Sequence, residues 1–311
     1  MAPTHSPLRP FRFGLQVRGD SGANDLRATA VAAEHVGFDV LSTFDHVGTD
    51  WSPLTPLTAM ALATERIRIC PLVLNIEFWH PVHLARDVAA IDHVSGGRFE
   101  LGIGAGHAHT EYAAIGATFD PPRIRKQRMA EAIEILRHLL DGEEVTHHGT
   151  HYSLDAVRTM PSQQEHLPFL VGVNGREALA HAARHADTIG LMMLGRTLPD
   201  GNQHEVRWQP ERLDTTIEYI VEQAAGRTLE LNALVQRVII TDDREAAAAE
   251  FVAAVPSLTL ADALATPFVL FGTHAEIASQ IVKARERWGI SYFTVRELDA
   301  FAPVIERLAG Q

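Results

Sequence analysis

The sequence predicts an α/β chain folded as a (β/α)₈ TIM barrel with loop insertions. Short β-rich runs alternate with helical ones about eight times along the 311 residues. The first four strand-like runs are largely apolar rather than alternating, as in a parallel sheet covered on both faces. No internal repeat, low-complexity tract or composition break marks a linker, so residues 1–311 read as one domain.

The elements follow in order. "FRFGLQV" (11–17) predicts a strand, and 24–37 a helix that Gly37 terminates. A strand over 38–44, a helix over 56–63 and a strand over 66–75 come next. The helix over 81–94 opens on Pro81, a favoured first-turn residue, and ends at "SGG" before a fourth strand over 98–104. A long amphipathic helix (121–142) leads into "VTHHGTHYSL", which reads as a small hairpin. Strand 168–173, helix 175–185, strand 187–193 and helix 210–225 continue the alternation. Strand 231–241, helices 243–254 and 274–288, strand 291–296 and a closing helix over 299–309 complete it. Segments 194–209 and 255–270 match neither period and are expected to be insertions near the barrel mouth or at a dimer surface.

Composition narrows the partners. A hydrophobic fraction of 46% suits a globular protein with a sizeable core. The net charge of −12 argues against nucleic acid or an anionic membrane as the main partner. One cysteine, Cys70, forbids an intrachain disulfide and fits a reducing, cytoplasmic setting. "MAPTHSPLRP" has no apolar signal core, and no apolar run reaches membrane-spanning length. The only lysines are Lys126 and Lys283, both inside predicted helices, so a Schiff-base mechanism at a strand end has no candidate. No G-x-S-x-G elbow supports a serine hydrolase.

Barrel chemistry gathers at the carboxyl ends of the strands. Those ends hold Asp45 and His46, Leu72 to Asn75, Gly104 to Thr110, Gly172 to Arg176, Met192 with Met193, and Arg296 with Glu297. "LGIGAGHAHTEY" (101–112) sets three glycines at alternate positions. It lacks the third glycine of a dinucleotide fingerprint, and no acidic strand end follows at the required spacing. Its glycines serve either close packing in the barrel or the approach of backbone N–H groups to an anion. "LVGVNGREAL" (170–179) repeats the choice: an ordinary helix-capping turn, or a phosphate site at a helix N-terminus. His46 is either a packed histidine at the mouth or a proton-handling group. His80 and His83, and His147, His148 and His151, lack familiar zinc spacing, so no metal is expected.

Taken together, "EHVGFDVLSTFDH" (34–46), "HPVHLARDVAAIDHVSGGRFELGIGAGHAHTEYAAIG" (80–116), "GVNGREALAHAARHADTIG" (172–190) and "FGTHAEIASQIVKARERWGISYFTV" (271–295) resemble the luciferase-like monooxygenase superfamily. Within it they resemble the oxidoreductases that use the deazaflavin coenzyme F420. The resemblance implies a bacterial-luciferase-like barrel with the cofactor ring across its mouth, beside Asp45 and His46. It implies a phosphate held by Gly104, Ala105, Gly106, Thr110, Gly172, Val173, Asn174 and Gly175. A cis peptide near Leu72–Val73 would support one ring face. His107 stands where sugar-phosphate dehydrogenases of this group carry a proton-transferring glutamate.

The implied function is hydride transfer between F420 and a small organic substrate, with His46 and His107 catalytic. Alternatives are a monooxygenase using reduced FMN and O₂, and a non-catalytic flavin-binding barrel. Trp51, Phe78, Trp79 and Met193 are either candidate pocket walls or core residues. Arg123, Arg125, Lys126 and Arg128 are either a basic lip for the cofactor's acidic tail or a solvated helix face. A homodimer is the family expectation.

Overall fold

Eight parallel staves close into the expected barrel. The computed structural model describes residues 9–18, 23–48, 51–198, 204–255 and 257–311, so most of the stretch read for a leader lies outside it. The amino-terminal half runs β1 (Arg12–Gln16), α1 (Ala23–Val36), β2 (Val40–Thr43), α2 (Leu54–Ala63), β3 (Arg68–Pro71) and β4 (Leu74–Asn75). A 3-10 turn (Ile76–Phe78), α3 (Pro81–Ser95), β5 (Leu101–Gly104), α4 (His109–Ala114) and α5 (Pro122–Leu140) follow. The predicted hairpin is β6 (Val145–His148) against β7 (Ser153–Val157). Next are β8 (Phe169–Val173), α6 (Arg176–His185), β9 (Thr188–Leu191), β10 (Leu194–Thr197), β11 (His204–Val206) and α7 (Pro210–Ala224). The chain ends with β12 (Glu230–Leu234), β13 (Arg237–Ile240), α8 (Arg244–Ala253), α9 (Leu260–Ala265), β14 (Val269–Gly272), α10 (His274–Trp288), β15 (Tyr292–Val295) and α11 (Leu298–Leu308).

The sheet order is β3-β2-β1-β15-β12-β9-β8-β5-β4. Strands β3 and β4 are two halves of one stave, and a bridge from Ile69 to Phe99 with the β4–β5 ladder closes the ring. The predicted strand 66–75 is therefore interrupted at Leu72–Val73, where the peptide is cis. The predicted strand 231–241 also divides. After Leu234 the chain leaves the ring, and β13 pairs in parallel with β14, whose residues 269 and 270 lay in a segment without a recognisable period. The other unassigned segment carries the antiparallel pair β10–β11, with residues 199–203 outside the described ones.

Inside the ring the chain is layered. At the amino ends of the staves, Arg12 donates to Glu100 and Glu230, both at 2.6 Å, and Arg68 donates to Glu100. Both carboxylates are buried. Burial works against the Arg12 charge, yet the two carboxylates outweigh it and raise its pKa above the ordinary value. Toward the carboxyl ends an apolar plug of Val40, Cys70, Leu72, Leu170 and Leu234 follows, with Val73 packed against it. A larger apolar cluster lies between sheet and helices.

Removing one partner from a buried ion-pair network leaves uncompensated charge, which costs about 3–5 kcal/mol. Arg12→Ala is therefore expected to lower stability by that amount, read as a shift in the urea unfolding midpoint. A change within experimental error would show that the amino-end network contributes nothing to folding.

Candidate active site

The glycine motif is explained first by packing. A Cβ at Gly102 would lie 1.8 Å from the Pro71 carbonyl oxygen, and one at Gly104 would lie 2.7 Å from Val73 Cγ2. Gly106 has φ +67° and sits against Asn75 and Tyr112. A Cβ at Gly172 would meet both Val73 methyls at 3.3 and 3.4 Å. Of the two readings left open by the sequence, close packing thus accounts for Gly102, Gly104 and Gly172. Val73 enters the barrel mouth beside β5 and β8, where a side chain on Gly104 would collide with it and one on Gly172 would crowd it.

Above Val73 opens a cavity of about 780 Å³ at the carboxyl ends of the staves. Asp45, His46, Leu72, Val73, Gly104, Ala105, Gly106, His107, Gly172, Val173 and Asn174 all line it. Two predicted positions fall elsewhere. Thr110 is exposed on the first turn of α4, and Gly175 lines an adjoining pocket of about 560 Å³ between α6 and α7.

The four candidate wall residues divide. Trp51 is exposed, Phe78 packs on Tyr112 with ring centroids 4.9 Å apart, and Met193 (φ +45°) lines the adjoining pocket. Trp79 donates through Nε1 to Asp45 Oδ2 at 2.9 Å, and the Asn75 N–H reaches the same oxygen at 3.0 Å. Asp45 thereby ties the end of β2 to the end of the third stave. Burial pushes its carboxyl pKa up, against the lowering effect of those two donors.

The basic lip is also corrected. Arg125 is buried, donates to the Ala105 and Gly106 carbonyls, and lies 4.2 Å over the Phe119 ring. Arg128 pairs with Glu77 and Asp120. Arg125 holds the glycine loop in place, and Arg128 ties α5 to the 3-10 turn. Only Lys126 of the four keeps its head group beside the Gly175 turn, 3.0 Å from where a Cβ would sit.

Three histidines and a glutamate form the polar wall. His46 Nδ1 lies 2.5 Å from Glu111 Oε1, and the His46 ring meets His107 at a centroid distance of 5.4 Å. His107 Nδ1 lies 3.0 Å from His204 Nε2, which β11 supplies. Burial, reinforced by His204 and His46, pushes the His107 pKa down to about 4. His107 is therefore a neutral imidazole at neutral pH, suited to hydrogen bonding rather than to delivering a proton as imidazolium. Arg296 donates to Gln16 Oε1 at 2.9 Å across the opposite rim. A contiguous chamber of about 720 Å³ runs from His46, His107 and His204 toward Trp208 and Val255. In the sequence Glu111 has no role beyond its place in the glycine motif, and nothing singles out His204. Glu111 lies in the first turn of α4 and meets His46 across 65 residues of sequence, a contact with no local signal. His204 had no periodic context to mark it.

A histidine with a folded pKa of about 4 and an unfolded pKa of 6.5 binds fewer protons when folded. Stability is then fully present above pH 6.5 and falls as pH drops toward 4. With part of the effect screened by solvent, His107 is expected to contribute about 1–2 kcal/mol to this loss. His107→Gln should flatten the stability–pH slope in that window, measured by urea unfolding at several pH values. An unchanged slope would contradict the neutral assignment.

The family model for luciferase-like monooxygenases matches residues 8–280. An F420-dependent glucose-6-phosphate dehydrogenase of Microbacterium testaceum is 33% identical over 187 residues, 57% of this chain and 55% of that protein. A 5,10-methylenetetrahydromethanopterin reductase of Archaeoglobus fulgidus is 32% identical over 179 residues, 58% of this chain and 52% of that protein. The chain spans about half the length of these curated relatives.

Among solved structures, an F420-dependent secondary alcohol dehydrogenase in complex with an F420-acetone adduct superposes with a TM-score of 0.77. Its sequence identity is 18%, over 96% of this chain and 99% of that one. Monooxygenase RslO1 from Streptomyces bottropensis gives a TM-score of 0.72 at 23% identity, over 95% and 99%. Those two likenesses establish the fold. With most of its length under the family model, the chain belongs to the luciferase-like monooxygenase family.

Proposed function

We propose that this chain is an oxidoreductase that transfers a hydride between coenzyme F420 and a small organic substrate. The observation that carries the reading is the mouth itself: a polar wall of Glu111, His46, His107 and His204 stands over an apolar floor of Leu72 and Val73. The relatives named as F420-dependent support the choice of cofactor.

The residues present fit such a group. Gly104 to Gly106 and Val173 with Asn174 border the cavity from adjacent staves, and α6 follows its N-cap Gly175 with no side-chain cap on its first-turn N–H groups. Those N–H groups and the Lys126 ammonium make a matching donor set for a phosphate. When bound, F420 would supply a carbon that accepts or gives up a hydride.

The chain's own residues do the rest. Asp45 fixes the backbone next to His46, and Glu111 orients the ring through Nδ1, so the imidazole is held in place to hold or move a proton. His107, kept neutral, orients an oxygen or nitrogen of the substrate. Leu72, Val73, Met192, Leu194 and Leu234 keep water from the apolar side.

Titration with oxidised F420 is expected to saturate in the micromolar range and FMN to bind more weakly. Saturable FMN binding without F420 binding would favour the monooxygenase reading, and absence of turnover with any reductant the non-catalytic one. His46→Ala should slow turnover by about 10²-fold or more while the far-ultraviolet circular dichroism stays unchanged.

A further inference from the structure

On the far side of the helix layer, His181 and His185 stand one turn apart on α6, and Glu134 faces them from α5. Their rings stack with centroids 4.3 Å apart and 21° between planes. One ligand atom from each of the three residues lies within 4.8 Å of the others. His181 Nε2 is buried and has no hydrogen-bond partner among the described residues. A buried polar atom without a partner calls for an explanation, and a bound ion is one of the usual ones.

We propose that Glu134, His181 and His185 form a binding site for a divalent transition-metal ion of the zinc class. Two imidazoles and a carboxylate are a ligand set that zinc accepts, with a fourth position left to water. In tetrahedral coordination at about 2.0–2.1 Å the ligand atoms stand roughly 3.4 Å apart. Closing from 4.8 Å needs only side-chain rotation, and Glu134 is exposed and free to swing inward. Burial, with His185 and Arg184 nearby, holds the His181 pKa down to about 4, so its ring is neutral and ready to ligate at neutral pH.

Three arginines oppose a cation here, and their commitments limit the effect. Arg137 donates to the Leu167 carbonyl and to Asp187, and Arg227 donates to the Ala183 and Ala186 carbonyls. Arg184 remains beside the pair and opposes the bound charge.

The site lies at the carboxyl end of α6, just before β9 begins, and so at the amino end of the barrel. It is remote from the cavity and would clip α5 to α6 rather than take part in chemistry.

The test is calorimetric titration of the whole protein with Zn²⁺, repeated with Co²⁺ to record its ligand-field absorption. One saturable site is expected, with affinity lowered at least about tenfold in His185→Gln and in Glu134→Gln. Glu134 is exposed, so its variant keeps the test valid if the histidine variant fails to fold. No metal uptake, or equal affinity in wild type and both variants, would overturn the proposal.

Discussion

The contact on which the mouth of this barrel depends is that of Val73 with two glycines. Its methyls occupy the space that Gly104 and Gly172 leave open on neighbouring staves, while the Gln16 amide donates to the Leu72 carbonyl at 3.1 Å from the other side. The third stave is thereby split into β3 and β4, and the split turns an apolar step into the cavity. Any larger residue on β5 or β8 at those levels would push the step back and fill the floor. Overpacking of this kind costs about 1–3 kcal/mol and displaces neighbouring backbone.

Beneath that floor the barrel sorts its charges by height. Arg12, Arg68, Glu100 and Glu230 neutralise one another at the amino ends, separated from the mouth by Val40, Cys70 and Leu170. The apolar layer isolates two polar systems with different tasks. The lower one is mutually paired and buried, as a structural network must be. The upper one is histidine-rich and opens onto a cavity, where small shifts in environment change protonation. The lower network disturbs the mouth little because its two arginines and two carboxylates neutralise one another, not because the apolar layer screens charge.

Much of this was legible in the sequence, and the exceptions share a cause. Strand runs and their carboxyl ends are local, so Asp45, His46, Gly104 and Asn174 emerged from periodicity alone. Other motif residues turn out to be structural. His80 caps α3 by accepting from the Val82 N–H, and Arg98 of the "SGGR" run donates to the Ala61, Thr64 and Ile67 carbonyls. Arg125 read as a solvent-facing cation because its helix is amphipathic; its role appears only when the glycine loop returns to meet it. The break at Leu72–Val73 was implied by resemblance, whereas the departure of β13 from the ring had no local signal, since "LVQRVII" reads as one continuous strand.

The distribution of wall residues separates two halves of the site by origin. The side suited to a phosphate-bearing cofactor comes from turns that the barrel must make anyway, between β5 and α4 and between β8 and α6. The side that holds His204, Trp208 and Val255 comes from β10–β11 and the chain after α8, outside the repeating β/α units. Loops of that kind tolerate change because few barrel contacts depend on them. A residue such as His204 can therefore be exchanged without disturbing Val73 or the glycines, yet it directly resets the hydrogen bonding and protonation of His107. On the proposed reading, cofactor choice is built into the barrel, while substrate choice resides in these insertions and reaches the reacting centre through the His107–His204 contact.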